Sequence, residues 1–95
     1  MIRSFANTNT QTEQVWNGKR SRKLPPEIQQ RALAKQMFIE AADEIEDLRN
    51  PPSNDLHPLH REQAGQHAIS INRQWRICFR WNDGYAYDVE ITDYH

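Results

Sequence analysis

The side chains in this sequence able to move protons or hold anions fall into two sets. One is His57-Pro58-Leu59-His60 with His67 further on; the other is Arg73, Arg76 and Arg80 with the run Asp93-Tyr94-His95. Imidazole titrates nearest neutrality of the unperturbed side chains and serves as general acid or base. Guanidinium is a permanent, planar donor matched to phosphate oxygens. Together these types suit acid–base chemistry at a phosphate ester. Histidine spacing of this kind is also available to a metal, but Pro58 places the first pair in a loop, and no cysteine pair or His-Glu-x-x-His helix accompanies it. No metal and no other cofactor is expected. Cys78, the single cysteine, falls within a strand pattern and reads as an inert buried thiol. Asp93-Tyr94-His95 gathers an acid, a phenol and an imidazole at the end of the last strand pattern; spacing alone fits a polar tail as well as a site.

The elements that must position these groups follow from periodicity. Ile2 to Phe5 alternates as a short strand, and a short helix over about residues 9–17 stops at Gly18. The run Lys19-Arg20-Ser21-Arg22-Lys23 has no apolar period and predicts an exposed, mobile loop. Pro25-Pro26-Glu27 starts a helix. Ile28, Ala32, Met37 or Phe38, Ala41, Ala42, Ile45 and Leu48 carry its apolar stripe to Arg49, as one long helix or as two with a bend near 38–40, until Asn50-Pro51-Pro52 ends it. After Gly65 the period becomes two. His67, Ile69 and Ile71, then Trp75, Ile77, Phe79 and Trp81, face one side, with Arg76, Cys78 and Arg80 on the reverse. Asn82-Asp83-Gly84 predicts a hairpin turn, and Tyr87, Val89 and Ile91 are expected in the core opposite Asp88, Glu90 and Thr92. The order strand-helix-helix-strand-strand-strand is an α+β domain with helices packed on one face of a sheet. Its open face would carry Ser70, Arg76, Arg80, Asp88, Glu90 and Tyr94.

Ninety-five residues make one domain, over 1–95, and 37% hydrophobic with 26% charged side chains is a globular composition. No apolar run approaches the roughly 18 residues of a membrane span. The N-terminus lacks a basic stretch followed by an apolar block, and with one cysteine the chain suits a reducing cytoplasm. A net charge of -1 hides strong polarisation: six basic residues against one acid from Lys19 to Lys35, then five acids and no base from Glu40 to Asp47. A basic face built from such blocks can hold a phosphate backbone.

The opening Met1-Ile2-Arg3-Ser4-Phe5, the block from Ala41 to Arg49 followed by Pro51-Pro52, Leu56-His57-Pro58-Leu59, Gly65, Ile71-Asn72-Arg73-Gln74-Trp75-Arg76-Ile77-Cys78-Phe79 and Asp93-Tyr94-His95 resemble the HigB toxins of the RelE/ParE superfamily. The resemblance spans nearly the whole chain. It implies a small curved, mostly antiparallel sheet backed by helices. It further implies a ribosome-dependent mRNA endoribonuclease, neutralised by a HigA-like helix-turn-helix antitoxin and meeting operator DNA only through that complex. Site residues carried over by motif are His57, Arg76, Asp93, Tyr94 and His95, with Arg73, His60 and Arg80 as RNA-binding candidates. His60 stands where some relatives have lysine. A relative of another class on the same fold, inhibiting DNA gyrase without cutting RNA, would not need His57, Arg76 and the terminal trio together.

Overall fold

The alternating run from Trp75 to Trp81 is long enough to organise a sheet, and it does so as one of two strands paired on both edges. In the computed structural model, which describes residues 1–6, 10–60 and 64–93, four antiparallel strands run in the order β1 (His57–Pro58), β2 (Gln66–Ser70), β3 (Trp75–Asn82) and β4 (Tyr85–Asp93). Helices α1 (Thr10–Trp16) and α2 (Pro26–Ala41) cover one face. Between them and the sheet lie Val15, Ile28, Ala32, Ile39, Ile69, Ile77, Phe79, Val89 and Ile91, all nearly or fully buried. The hairpin turn is as expected. Asp83 (φ 54°) and Gly84 (φ 85°) both take the left-handed conformation of a type I′ turn, which matches the twist of the flanking strands.

Four expectations for residues 1–49 need correction. The N-terminal segment forms no full strand but touches β4 in parallel at Ile2–Ala86 and Phe5–Val89. The helical stripe of α2 runs through Ile28, Ala32, Lys35, Gln36 and Ile39, leaving Met37 and Phe38 exposed. Two polar side chains take the core positions because each finds a partner there: Lys35 Nζ donates to Asn54 Oδ1 at 2.7 Å, and Gln36 Nε2 to the Thr12 carbonyl at 3.1 Å. The helix stops at Ala41, beyond the anticipated bend. Asp47 Oδ2 accepts from the backbone N–H groups of Asp43 and Glu44, both at 3.0 Å, and starts a separate 3-10 turn, Ile45–Arg49; a short acidic side chain competes with the helix for its own backbone. Finally, the basic loop is anchored in its middle. Ser21 is buried and bonded through both its N–H and its carbonyl to the Gln29 amide, at 2.9 and 2.8 Å.

A bulge decides the composition of the open face. Cys78 pairs with Glu90, but Arg80 pairs with Tyr87, so β4 carries one extra residue, Asp88, at φ 55°. The extra residue reverses the alternation. Ala86 therefore enters the core in place of Tyr87, which lies with Arg80 on the open face.

Gly65, ahead of β2, sits at φ +91°, and a Cβ there would come 3.1 Å from Arg80 Nη1. Gly65→Ala is expected to cost about 1–2 kcal/mol, chiefly through the forced positive φ. Thermal unfolding of the variant would show a midpoint lower by roughly 5–10 °C.

Candidate active site

Strand register sorts the open face into rows. His57, Ala68, Cys78 and Glu90 lie in one, Ser70, Arg76 and Thr92 in the next, and Gln66, Arg80 and Tyr87 flank the first on its other side. With strands about 4.8 Å apart and about 3.4 Å per residue, the Cα atoms of His57 and Arg76 stand about 12 Å from each other. The floor is apolar: Leu59, Ala68 and Cys78 are buried together, and the Cys78 thiol lies 3.4 Å from the Thr92 hydroxyl. Cys78 is thus the buried free thiol that its strand position suggested.

His57 is held in a defined tautomer. Its Nδ1 is 2.7 Å from the backbone carbonyl of Asp55. A carbonyl only accepts, so Nδ1 is the donor, and in the neutral ring the lone pair lies on Nε2. Nε2 is screened from solvent and has no hydrogen-bond partner among the described residues. The carbonyl is aimed by the left-handed conformation of Asp55 (φ 48°, ψ 51°), which follows the short turn Pro52–Asn54, and aspartate tolerates that conformation better than most residues. Below it Asn54 is fully buried, accepting from Lys35 Nζ and donating to the carbonyls of Leu48 (3.1 Å) and Asn50 (3.2 Å). Burial and the charge of Arg31 lower the pKa of the Lys35 ammonium from its ordinary 10.5. The chain from α2 through Lys35, Asn54 and Asp55 fixes the imidazole. Sequence reading did not find this support, since an asparagine in a Pro-Pro-Ser-Asn run looks like any turn residue.

The other expected residues divide. Arg76 is half-buried in the row beside His57, with Ser70 and Thr92 as its strand neighbours. Asp93 ends β4 opposite Trp75, whose side chain packs on the helix side, so register assigns Asp93 to that side of the sheet and to its rim. Gln74 Nε2 donates to Asp93 Oδ2 at 3.2 Å, a contact sequence reading missed. Tyr94 and His95 lie outside the described residues. Arg80 is exposed and 3.7 Å from Asp88, which offsets part of its charge. His60 is exposed just beyond β1. His57 and Pro58, expected in a loop, pair with Ala68 and His67 as an edge strand, where proline is tolerated. Arg73 is exposed on the β2–β3 turn, at a cleft shared with Arg31, Asp55 and Ser70.

His67 takes no place on this face. It stacks on Phe79 on the helix side, ring centres 6.3 Å apart. Burial lowers its pKa from 6.5, the charge of Glu46 opposes this, and His57 adds to the lowering. As pH falls through 6.5 the unfolded chain takes up this proton before the folded one, so stability declines with acidification and returns above 6.5. Urea unfolding at pH 7.5 and 5.5 should show that loss, and His67→Phe should diminish it.

Residues 4–95 match the family described as the RelE-like toxin of the type II toxin–antitoxin system HigB. The chain belongs to this HigB-like toxin family. As a type II toxin of that family it has an antitoxin for a partner. Among individual HigB proteins it is similar to Toxin HigB-1 of Vibrio cholerae serotype O1, 37% identical over 73 residues, 77% of each chain. It is also similar to Endoribonuclease HigB of Proteus vulgaris, 39% identical over 57 residues, 60% of this chain and 61% of that protein. The fold matches crystal structures of YafQ from E. coli, with a TM-score of 0.62 at 10% identity over 99% of this chain and 94% of the other. That likeness establishes the RelE-like architecture of the HigB-like chain: two helices on a four-stranded antiparallel sheet. Among the described residues no helix is long and apolar enough to cross a membrane.

Proposed function

We propose that this HigB-like toxin cuts mRNA on the ribosome without a metal, by turning the substrate's own 2′-hydroxyl on the adjacent phosphorus. The observation that carries this reading is the pairing of an imidazole anchored through Nδ1 with Arg76 in the neighbouring row of one open sheet face. Its membership in a toxin family that includes a relative named an endoribonuclease supports it.

In this reaction His57 Nε2 removes the 2′-hydroxyl proton and the oxygen attacks phosphorus. Arg76 holds the non-bridging oxygens as the phosphorane gathers charge, where a planar two-pronged donor is best matched. The bond to the 5′-oxygen breaks and that oxygen takes a proton from an acid, the role left to His95, while Tyr94 stacks on a base. The products are a 2′,3′-cyclic phosphate and a 5′-hydroxyl, which balances without water. Because Nε2 is screened in the free chain, RNA has to open the β1 edge first, and a two-residue strand is the part of the sheet easiest to open. A shallow face of this size gains from an mRNA already bent and exposed in the decoding site, since positioning is worth several kcal/mol of barrier. The toxin acts in the cytoplasm, where translating ribosomes are, with a HigA-like helix-turn-helix protein as its antitoxin and operator DNA reached through that complex.

Product end groups test the chemistry. Fragments from a translation reaction chelated with EDTA, after ribosomes have been assembled and magnesium has been buffered to the minimum they require, should carry cyclic phosphates and free 5′-hydroxyls. Fragments with 5′-phosphates would contradict 2′-hydroxyl attack. Intact mRNA with lost DNA supercoiling would favour the gyrase-type alternative.

A further inference from the structure

The cleft beside the His57–Arg76 rows carries charge that the proton-transfer scheme does not use. It encloses about 390 Å³ between α2, the turn before β1 and the β2–β3 turn, with Arg31, Ser53, Asp55, Ser70, Asn72 and Arg73 in its walls. Small-molecule sites begin at about 300 Å³, so one nucleotide fits. We propose that this cleft is an RNA subsite that seats the nucleotide next to the cleaved linkage, with its phosphate bridged by Arg31 and Arg73. The proposal rests on the ribonuclease reading above and adds Arg31, which neither motif nor resemblance brought forward.

Three observations support it. First, the cleft is joined to the site at two points: Asp55 supplies the carbonyl that orients His57, and Ser70 is the strand partner of Arg76. A nucleotide in the cleft is therefore continuous with one lying between those two side chains. Second, the lining is cationic. Arg31 and Arg73 face one acid, Asp55, and neither arginine forms an ion pair among the described residues. The Lys35 ammonium lies behind the wall, 3.2 Å from Ser53 Oγ. Third, the walls are set before any ligand arrives. Asn72 Oδ1 accepts from the backbone N–H groups of Gln74 and Trp75, both at 2.8 Å, and so fixes the turn that bears Arg73. With Lys35 donating to Ser53 Oγ, the Ser53 hydroxyl proton is free to point outward, and the Ser70 hydroxyl and the Asp55 carboxylate complete a set of donors and acceptors for sugar hydroxyls and base edges.

The test is NMR titration of the free toxin with a tetranucleotide RNA made uncleavable by 2′-O-methylation, alongside an Arg31→Gln/Arg73→Gln variant. Expected are shifts of the Arg31 and Arg73 Nε–H signals and of the Ser70 and Asn72 amides. The double variant should bind about tenfold more weakly, and the slope of log K against log salt should fall by about 0.7, the loss of one phosphate contact on a single strand. A spectrum as dispersed as wild type confirms that the variant is folded. Shifts confined to the strand rows, unchanged affinity in the variant, or no binding by the wild type would each overturn the subsite. Cleavage of translated mRNA by the wild type is scored separately. A toxin that cuts message while the cleft ignores RNA sinks only this proposal, and one that cuts none sinks the ribonuclease reading itself.

Discussion

Arg76→Ala is expected to lower the rate of mRNA cleavage by about 10²–10³-fold while leaving affinity for the ribosome within a few-fold. The scale is that of removing one preorganised donor aimed at charge that develops in the transition state. Arg76 is suited to this because its stem is half-buried between Ser70 and Thr92, so the guanidinium is held and loses little freedom when phosphate arrives. Arg76→Lys keeps the charge but not the planar fork, and should recover only part of the loss. Single-turnover cleavage on programmed ribosomes reads the chemical step directly. A rate for Arg76→Ala within a few-fold of wild type would remove Arg76 from the phosphate and leave the face without its principal clamp.

Asn54→Ala is expected to be the most damaging change outside the apolar core. Asn54 is wholly buried, and its amide serves three groups at once: the Lys35 ammonium and the carbonyls of Leu48 and Asn50. Truncation leaves the buried Lys35 ammonium with Ser53 Oγ alone and takes the donor from the buried Leu48 carbonyl and the partly buried Asn50 carbonyl, a lost partner at a buried group costing about 1–3 kcal/mol. After partial relaxation a total of about 2–4 kcal/mol is reasonable. For a chain of this length that is a fall of roughly 10–20 °C in the unfolding midpoint. Two further results separate this from generic packing loss. Pairing Asn54→Leu with Lys35→Met should restore the part of the stability that the Lys35 ammonium accounts for, because an apolar pair removes its desolvation cost, while the Leu48 and Asn50 carbonyls still lack their donor. The Asn54→Ala deficit should also shrink as pH rises toward 10.5, since the folded chain releases the Lys35 proton before the unfolded one does. Because this network sets the Asp55 carbonyl, Asn54→Ala should depress cleavage even at temperatures where it stays folded.

The parts of the fold legible in the sequence are those encoded by local repetition. The alternation from Trp75 to Trp81 and the Asn82-Asp83-Gly84 signal locate the hairpin to within a residue, because a strand period and a turn requiring two positive φ values are local properties. The exchange of Tyr87 for Ala86 in the core was not legible. A bulge at Asp88 depends on pairing across strands and on Ser4, whose hydroxyl accepts from the Asp88 N–H at 3.0 Å, and neither leaves a trace in a window of ten residues. Burial of Lys35 and Gln36 was hidden for a similar reason. Hydropathy assigns both to solvent, and only partners at Asn54, Ser53 and Thr12, distant in sequence, make their burial tolerable.

The site divides along the same line. His57 and Arg76 could be named from type, motif and strand position, and register brings them to neighbouring rows. The tautomer of His57 could not, since it depends on the backbone of Asp55, nor could the rim position of Asp93 or its contact with Gln74. Arg31 was visible only as one charge in a basic helix until the turn carrying Arg73 folded against it.

The most direct measurement is primer extension on a reporter mRNA in a reconstituted translation reaction, with wild-type toxin, with His57→Ala, and with ribosomes withheld from one arm. Discrete cuts within the translated frame that require ribosomes and fall by at least 10²-fold in His57→Ala are the expected result, a loss typical of removing a general base. Full-length message in the wild-type reaction, or cuts that persist undiminished in His57→Ala, would contradict a ribonuclease built on this face.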